Sequence, residues 1–334
     1  MKHADPLIDN ASATQPPASE VEGCVEVCVP ASTSNLGPGF DCFGLALNLY
    51  LRVRASIAPA SSVPCTVASS GEGTTASVSH DEDNLIFRAM SYAAEHEGLN
   101  LPPVRLTVHS EIPMASGLGS SAAAIVAGIA LCGGLLRREI RKSTLLKYAT
   151  TLEGHQDNVA AAIYGGWVTT AVRDDGGVLA IKRRWPAGIK IIVVTPHLGV
   201  DTARARAMLT SQVSRNDAVF NLQRIGLLSA ALETGSYDLL WEAMQDRLHQ
   251  PERKMLVPGL AEALATPRLP GLLGLALSGA GPSVLALAQN NLDEIGRQIA
   301  ASFHERGLRT TVRVLETDDI GLKMKCEGKV PQES

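Results

Sequence analysis

The chain has 334 residues, 45% of them hydrophobic, with 30 basic and 34 acidic side chains for a formal net charge of −4. That balance supports a packed core in about two domains and excludes a mainly disordered chain. Mixed charge, with aromatics at only 4%, gives no electrostatic or stacking basis for a nucleic acid or an anionic membrane as partner.

Asp5, Pro6, Asp9, Pro16, Pro17 and Glu20 interrupt the first residues. No apolar signal core forms there, and 1–22 read as a flexible tail. Val25 to Val29 alternate like a half-buried strand, as do Leu51 to Arg54. Between them Pro30 to Asp41 is rich in Ser, Asn, Gly and Pro and reads as a structured loop. Residues 61–79 are small and polar, suiting turns and one short strand. Asn84 to Leu99 has helical periodicity, and Val104 to Val108 is a strand. A loop over Glu111–Leu118 then feeds a stretch from Gly117 to Leu136 that carries no charge. Its length could span a bilayer. Its Ala, Gly and Ser content and its flanks favour a helix buried in protein instead.

Arg137, Arg138, Arg141, Lys142 and Lys147 make a solvated basic turn, and Ser143 is placed to cap a helix running to Glu153. Trp167 to Val172 is a strand, and Asp174-Asp175-Gly176-Gly177 is a hairpin signal. The pattern restarts near residue 185, where a domain boundary is expected. Ile189 to Val194 reads as a fully buried strand. Helices are expected over 202–210, 216–234 and 237–248. Strands at 275–277 and 284–287 flank a Gly-Ala-Gly-Pro turn. A helix over 292–306 has Asn291 at its start and Gly307 at its end, and Thr311 to Leu315 closes the series. The six cysteines, at 24, 28, 42, 65, 132 and 326, form no CxxC pair and read as reduced thiols of a cytoplasmic protein.

The strongest chemical signal is Pro113-Met114-Ala115-Ser116-Gly117-Leu118-Gly119-Ser120-Ser121-Ala122-Ala123. A glycine-rich turn between a strand and an apolar helix aims backbone N–H groups and the positive end of the helix dipole at one point, which suits phosphate. No Lys follows as a Walker loop requires, and no acid lies about twenty residues on, as in a dinucleotide fold. Two further glycine loops, Pro30 to Asp41 and Leu277 to Ser283, are weak singly. Glu153-Gly154-His155-Gln156-Asp157-Asn158 packs two acids, a His and an amide into six residues, a cluster suited to a site. Glu153 could hold Mg²⁺ together with Ser121.

These three loops, in this order, resemble the GHMP kinases, and Pro30 to Asp41 followed by Cys42-Phe43-Gly44-Leu45-Ala46-Leu47 closely resembles the homoserine kinase branch. The resemblance covers about residues 23–320. It implies an α+β, two-domain fold: an N-terminal ATP-loop domain over 23–185 and a C-terminal ferredoxin-like α/β sandwich over 186–325 that binds substrate carboxylate. It implies ATP and Mg²⁺ as cofactors, L-homoserine as the small-molecule substrate, and O-phospho-L-homoserine, an intermediate towards threonine, as product. Neither nucleic acid nor membrane is an expected partner. Members are often dimers, and a homodimer is left open.

Residue by residue, Pro113 and Gly117, Leu118, Gly119, Ser120, Ser121, Ala122 and Ala123 match the ATP loop, and Asn84 a position near the nucleotide. Ser121 and Glu153 match metal ligands. Asn35, Asp41, His155, Thr202, Arg206, Arg253 and Gly279 match substrate contacts, and Asp157 and Asn158 the catalytic pair. Thr202 and Arg206 reproduce the TxxxR spacing after Thr195-Pro196. Two guanidinium forks suit an α-carboxylate, and Asp41 an α-ammonium. Asp157 could take the hydroxyl proton, or it could bind substrate while Asn158 positions the hydroxyl. Gln156, Ala161 and Glu252 depart from the family pattern. Two alternatives stand beside this reading: another GHMP kinase, and a nucleotide-binding regulator without turnover.

Overall fold

A computed structural model describes residues 24–59, 61–73 and 79–327; the expected tail over 1–22 lies outside them. The first half is built on a mixed sheet. β1 (Cys24–Asn35) and β2 (Gly39–Ile57) form a long antiparallel hairpin. β2 continues against β4 (Val104–Ser110), which pairs in parallel with β3 (Cys65–Gly71). At its other end β2 meets β5 (Trp167–Val172), and β5 makes the expected hairpin with β6 (Val178–Arg183).

Four helices cover this sheet: α1 (Leu85–His96), α2 (Ser120–Leu135), α3 (Lys142–Glu153) and α4 (Asp157–Tyr164). α2 holds Ala, Gly, Ile, Val and Leu on all sides, and twelve of its residues are buried. It therefore needs apolar neighbours all round, and packs against β1, β2, α1, α3 and α4. The uncharged stretch is thus a core helix, and among the described residues no helix is long and apolar enough to cross a membrane.

The second sheet has the order β10-β7-β9-β8, all antiparallel: β7 (Lys190–Pro196), β8 (Leu272–Leu277), β9 (Val284–Ala288) and β10 (Thr310–Leu315). Between β7 and β8 run α5 (Thr202–Ala207), α6 (Arg215–Thr234), a single 3₁₀ turn (Tyr237–Leu239), α7 (Leu240–Ala243), α8 (Gln250–Arg253) and α9 (Leu260–Leu264); α10 (Leu292–His304) joins β9 to β10. Strand order and connections are those of the expected ferredoxin-like sandwich. Ile191 to Val194 of β7 is apolar without a break because both faces are covered. Ile191 and Val193 join the core of the first sheet, while Ile192 and Val194 pack with Ile295, Ile299 and Phe303 of α10.

Several local expectations are corrected. Pro30 to Asp41 is not a loop. Residues 31–34 pair with 44–47, and only Leu36 to Pro38 turn. Ser143 lies inside α3, whose cap position is Arg141, and Asn291 caps nothing with its side chain but donates to the Pro270 carbonyl. The helix expected over 237–248 breaks after Ala243. β11 (Lys323–Glu327) was not expected at all, and it returns to pair with β1. All six cysteines are free thiols.

Candidate active site

The three glycine-rich segments meet in one open cleft of about 520 Å³, a volume that includes the solvent at its mouth. β4 delivers the chain to the 111–119 loop, and Gly119 enters α2 in the left-handed region at φ 70°. A Cβ there would lie 2.2 Å from Ser32 Oγ, and one on Gly117 2.2 Å from the Ser278 carbonyl. Only glycine fits both positions. The loop's carbonyls are tied outward. Leu118 O accepts from Ser32 N at 3.1 Å, Gly117 O from Ser278 Oγ at 2.7 Å and Ser116 O from Ser283 N at 3.2 Å. The N–H groups of the first α2 turn have no carbonyl a turn behind them and sit at the positive helix end, so the bend can cradle phosphate.

Gly119→Ala is expected to weaken MgATP binding by at least about tenfold, since left-handed strain alone costs about 1–3 kcal/mol. Calorimetric titration of the folded variant checks this, and unchanged affinity would remove the loop from the nucleotide site.

α3 ends at Glu153 and α4 begins at Asp157, so the acidic cluster sits on a tight interhelix turn. Glu153 Oε2 accepts from Ser121 Oγ at 2.7 Å. Burial pushes its carboxyl above the ordinary value against the lowering influence of His155 and Ser121. His155 Nδ1 donates to Asp157 Oδ1 at 2.9 Å, which also accepts the Asn158 N–H at 2.7 Å. Burial pushes Asp157 up, but the bond and charge of His155, the Asn158 N–H and the Ser34 hydroxyl outweigh it and hold the carboxyl low. Burial pulls His155 down, and the bond and charge of Asp157 outweigh that and raise it. Both shifts favour an imidazolium–carboxylate pair. Asn158 is pinned at both ends of its amide: Oδ1 accepts from Ser32 Oγ at 2.9 Å, and Nδ2 donates to Ser34 Oγ at 3.0 Å.

Across the cleft Arg206 makes a two-pronged pair with Asp41, at 2.9 and 2.7 Å. Arg253 is 2% exposed, and its hydrogen bonds go to the carbonyls of Ala205 and Gly279 and to His249 Nδ1. Burial, then the charge of Arg206, disfavours its cation, which makes it a ready partner for an incoming anion. Both guanidiniums lie over the Phe40 ring, their Cζ atoms 5.3 Å (Arg206) and 5.2 Å (Arg253) from its centroid. Asn35 Nδ2 donates to Gly279 O at 3.0 Å, and Asn35 Oδ1 accepts the Asp41 N–H at 3.2 Å. Asn35, Asp41 and Ala115, all lining the cleft, have positive φ, a clustering of backbone strain typical of working sites.

The structure thus brings Asn35, Asp41, Gly117, Gly119, Ser120, Ser121, Glu153, His155, Asp157, Asn158, Thr202, Arg206, Arg253 and Gly279 to one cleft. Pro113, Leu118, Ala122 and Ala123 shape the loop from behind and are not among its lining residues. Asn84 also lies off the cleft lining. Its Oδ1 caps α1 at Ile86 N, and its Nδ2 donates to Ser79 O. Phe40, Ser34, Ala115, Ser116 and Ala280 line the cleft but were not singled out in the sequence. For Phe40 the signal was an aromatic, rare in this chain, set between Gly39 and Asp41. Of the three departures, Gln156 donates to the Asp41 carbonyl and Glu252 accepts from Thr210 N at 3.1 Å.

Fold and cleft together define a GHMP kinase: the GHMP kinases N terminal domain matches residues 84–166, and the GHMP kinases C terminal domain matches residues 228–305. A homoserine kinase of Moorella thermoacetica is 41% identical over 289 residues, spanning 86% of this chain and 96% of that one. One from Deinococcus radiodurans is 43% identical over 260 residues, 78% of this chain and 82% of the relative. The crystal structure of homoserine kinase from Cytophaga hutchinsonii superposes with a TM-score of 0.79 at 28% identity, covering 93% of this chain and all of that one. The chain belongs to the homoserine kinase family.

Proposed function

We propose that the protein transfers the γ-phosphoryl group of ATP to the side-chain hydroxyl of L-homoserine, giving ADP and O-phospho-L-homoserine in cytoplasmic threonine biosynthesis. The observation that carries this reading is the Asp41–Arg206 pair with buried Arg253 beside it. An acid and two guanidiniums complement an amino acid, whose ammonium goes to Asp41 and whose carboxylate goes to Arg206 and Arg253. Each member of the existing ion pair then exchanges one partner for another of the same charge, so no ion is left bare in the cleft. Asn35, His155, Thr202 and Gly279 complete the substrate's surroundings. The hydroxyl is directed between Asn158 and the loop of residues 117–123.

Phosphates of the nucleotide rest on the loop N–H groups. Ser121 and Glu153 would hold Mg²⁺. They are hard oxygen donors 2.7 Å apart beside the loop, and the Glu153 side chain is 9% exposed with burial disfavouring its anion. Among the described residues no three His, Cys, Asp or Glu converge on a metal, which suits an ion held mainly by phosphate and water. When bound, the ion would neutralise phosphate charge.

In the transfer, the homoserine oxygen bonds to the γ-phosphorus as the bond to the bridging oxygen of ADP breaks, and the hydroxyl proton passes to an oxygen of the transferred phosphoryl group and from there to water. Asp157, held ionised at low pKa, is a weak base. Its role is to fix His155 and the local field while Asn158, pinned by Ser32 and Ser34, orients the hydroxyl.

The test is MgATP-dependent ADP release with L-homoserine, set beside D-homoserine, L-serine, L-threonine and mevalonate. Selective turnover of L-homoserine is expected. Preference for mevalonate would break the clamp assignment, and tight ATP binding without turnover of any acceptor would mean a regulator.

A further inference from the structure

The two-arginine clamp raises a question of aim. Arg253 is buried, yet among the described residues nothing anionic bonds its guanidinium: its bonds to the Ala205 and Gly279 carbonyls are long, at 3.3 and 3.2 Å. The third contact is the ring of His249, 0% exposed and one helical turn before it in the chain. That ring joins Arg253 to the hairpin that carries Asp41. Its Nε2 lies 2.8 Å from the Gly37 carbonyl, which can only accept, so Nε2 carries the proton. Nδ1 is then a lone pair, 3.3 Å from Arg253 Nη1, and accepts from it. Gly37 belongs to the turn between β1 and β2, whose flanking strands carry Asn35 and Asp41. Phe40, on the same hairpin, stacks on the His249 ring at 5.2 Å and 26° while lying beneath both guanidiniums.

The backbone of His249 is fixed as firmly as its ring. Asp246, whose side chain is fully buried, accepts from the N–H groups of Leu248, His249 and Gln250. Asn221 then links Asp246 to the Pro38 carbonyl of the same turn. Burial holds the imidazole below its ordinary pKa, which keeps it neutral. A purely apolar residue could fill this space, but it would leave the Gly37 carbonyl and an Arg253 N–H without partners.

We propose that His249 is a positioning residue of the carboxylate clamp: anchored to Gly37 through Nε2–H, it offers Nδ1 to Arg253 and sets that guanidinium's aim at the substrate carboxylate. The inference rests on the amino-acid substrate reading above. It makes the histidine matter for acceptors that carry a carboxylate and not for those that lack one.

The experiment compares L-homoserine with 3-aminopropan-1-ol, which keeps the ammonium and the hydroxyl but has no carboxylate. The enzymes are the wild type, His249→Phe and His249→Gln. Phe keeps an aromatic ring against Phe40 and loses both nitrogen contacts. Gln can donate to Gly37 and accept from Arg253. His249→Phe is expected to raise the KM for L-homoserine by about 10- to 100-fold, the usual effect of stranding a buried partner. The KM for MgATP and the kcat/KM on 3-aminopropan-1-ol should move less than about threefold. His249→Gln should recover most of the loss. An equal fall on both acceptors, or no fall on either, overturns the proposal.

Should the Phe variant not fold, ¹⁵N-histidine NMR of the wild type decides, with His249→Gln assigning the signal. An unprotonated Nδ1 that shifts when L-homoserine binds, and not with 3-aminopropan-1-ol, supports the proposal. An Nδ1–H tautomer or an unmoved signal refutes it. The substrate reading fails separately, if the wild type does not favour L-homoserine over 3-aminopropan-1-ol.

Discussion

Arg206→Ala is expected to raise the KM for L-homoserine by about a hundredfold or more, since truncating one partner of a close charge pair costs about 2–5 kcal/mol. The variant loses the fork proposed to meet the carboxylate, and it leaves Asp41 without the guanidinium that now holds both its oxygens. The glycine-rich loop of residues 117–123 lies across the cleft, and none of the hydrogen bonds among the described residues joins it to Arg206, so the KM for MgATP should stay within about threefold. Arg206→Lys should recover only part of the loss, because an ammonium keeps the charge and cannot pair in two prongs. Steady-state kinetics with each substrate varied in turn decide the matter. An equal rise in both KM values would show that Arg206 serves the structure of the whole cleft and not the amino acid.

Asp157→Asn separates two ways of moving the hydroxyl proton. With Asp157 held ionised by His155, Asn158 and Ser34, it is poorly suited to accept a proton, and alignment should carry most of the rate. The variant is then expected to keep a measurable kcat, lowered by at most about a hundredfold, below the upper range of general base catalysis at about 10⁴-fold. The acidic limb of the kcat/KM profile should persist. A loss beyond about a hundredfold, with the acidic limb gone, would assign the proton to Asp157.

What could be read from the chain, and what could not, follows from where polar groups end up. The loop from Gly117 to Ala123 was recognisable because glycine and serine at a strand-to-helix junction have few other uses. Arg206 and Arg253 were matched through the family resemblance, and the structure sets both guanidiniums over the Phe40 ring. Pro30 to Asn35 misled, because Ser32, Thr33, Ser34 and Asn35 look like loop residues. They are 0–2% exposed in a strand, and partners far away in sequence make that burial tolerable: Asn158, Ser278 and Gly279. No local pattern reports such partners. His249, Asp246 and Asn221 stayed hidden for the same reason, since their worth lies in carbonyls and N–H groups brought near by the fold. β11 was invisible because Lys323-Met324-Lys325-Cys326-Glu327 alternates charge along an edge strand, with little apolar content to mark it.

That last strand has a consequence for how the molecule is made. Cys24 pairs with Glu327 across the ladder, and residues 316–318 are stitched to β2 through Asn48, Leu47 and Ala46. One flank of the first sheet is therefore supplied by residues 323–327, which are synthesised after the whole of the second sheet. Until then β1 carries an unpaired edge, while the phosphate loop, the acidic turn and most of the α2 core are already synthesised. The outer ladder of the first sheet can therefore close only once residues 323–327 have been made. The two ends of the folded body lie side by side, so a short linker could join them and the chain could be reopened at the exposed turn between β5 and β6.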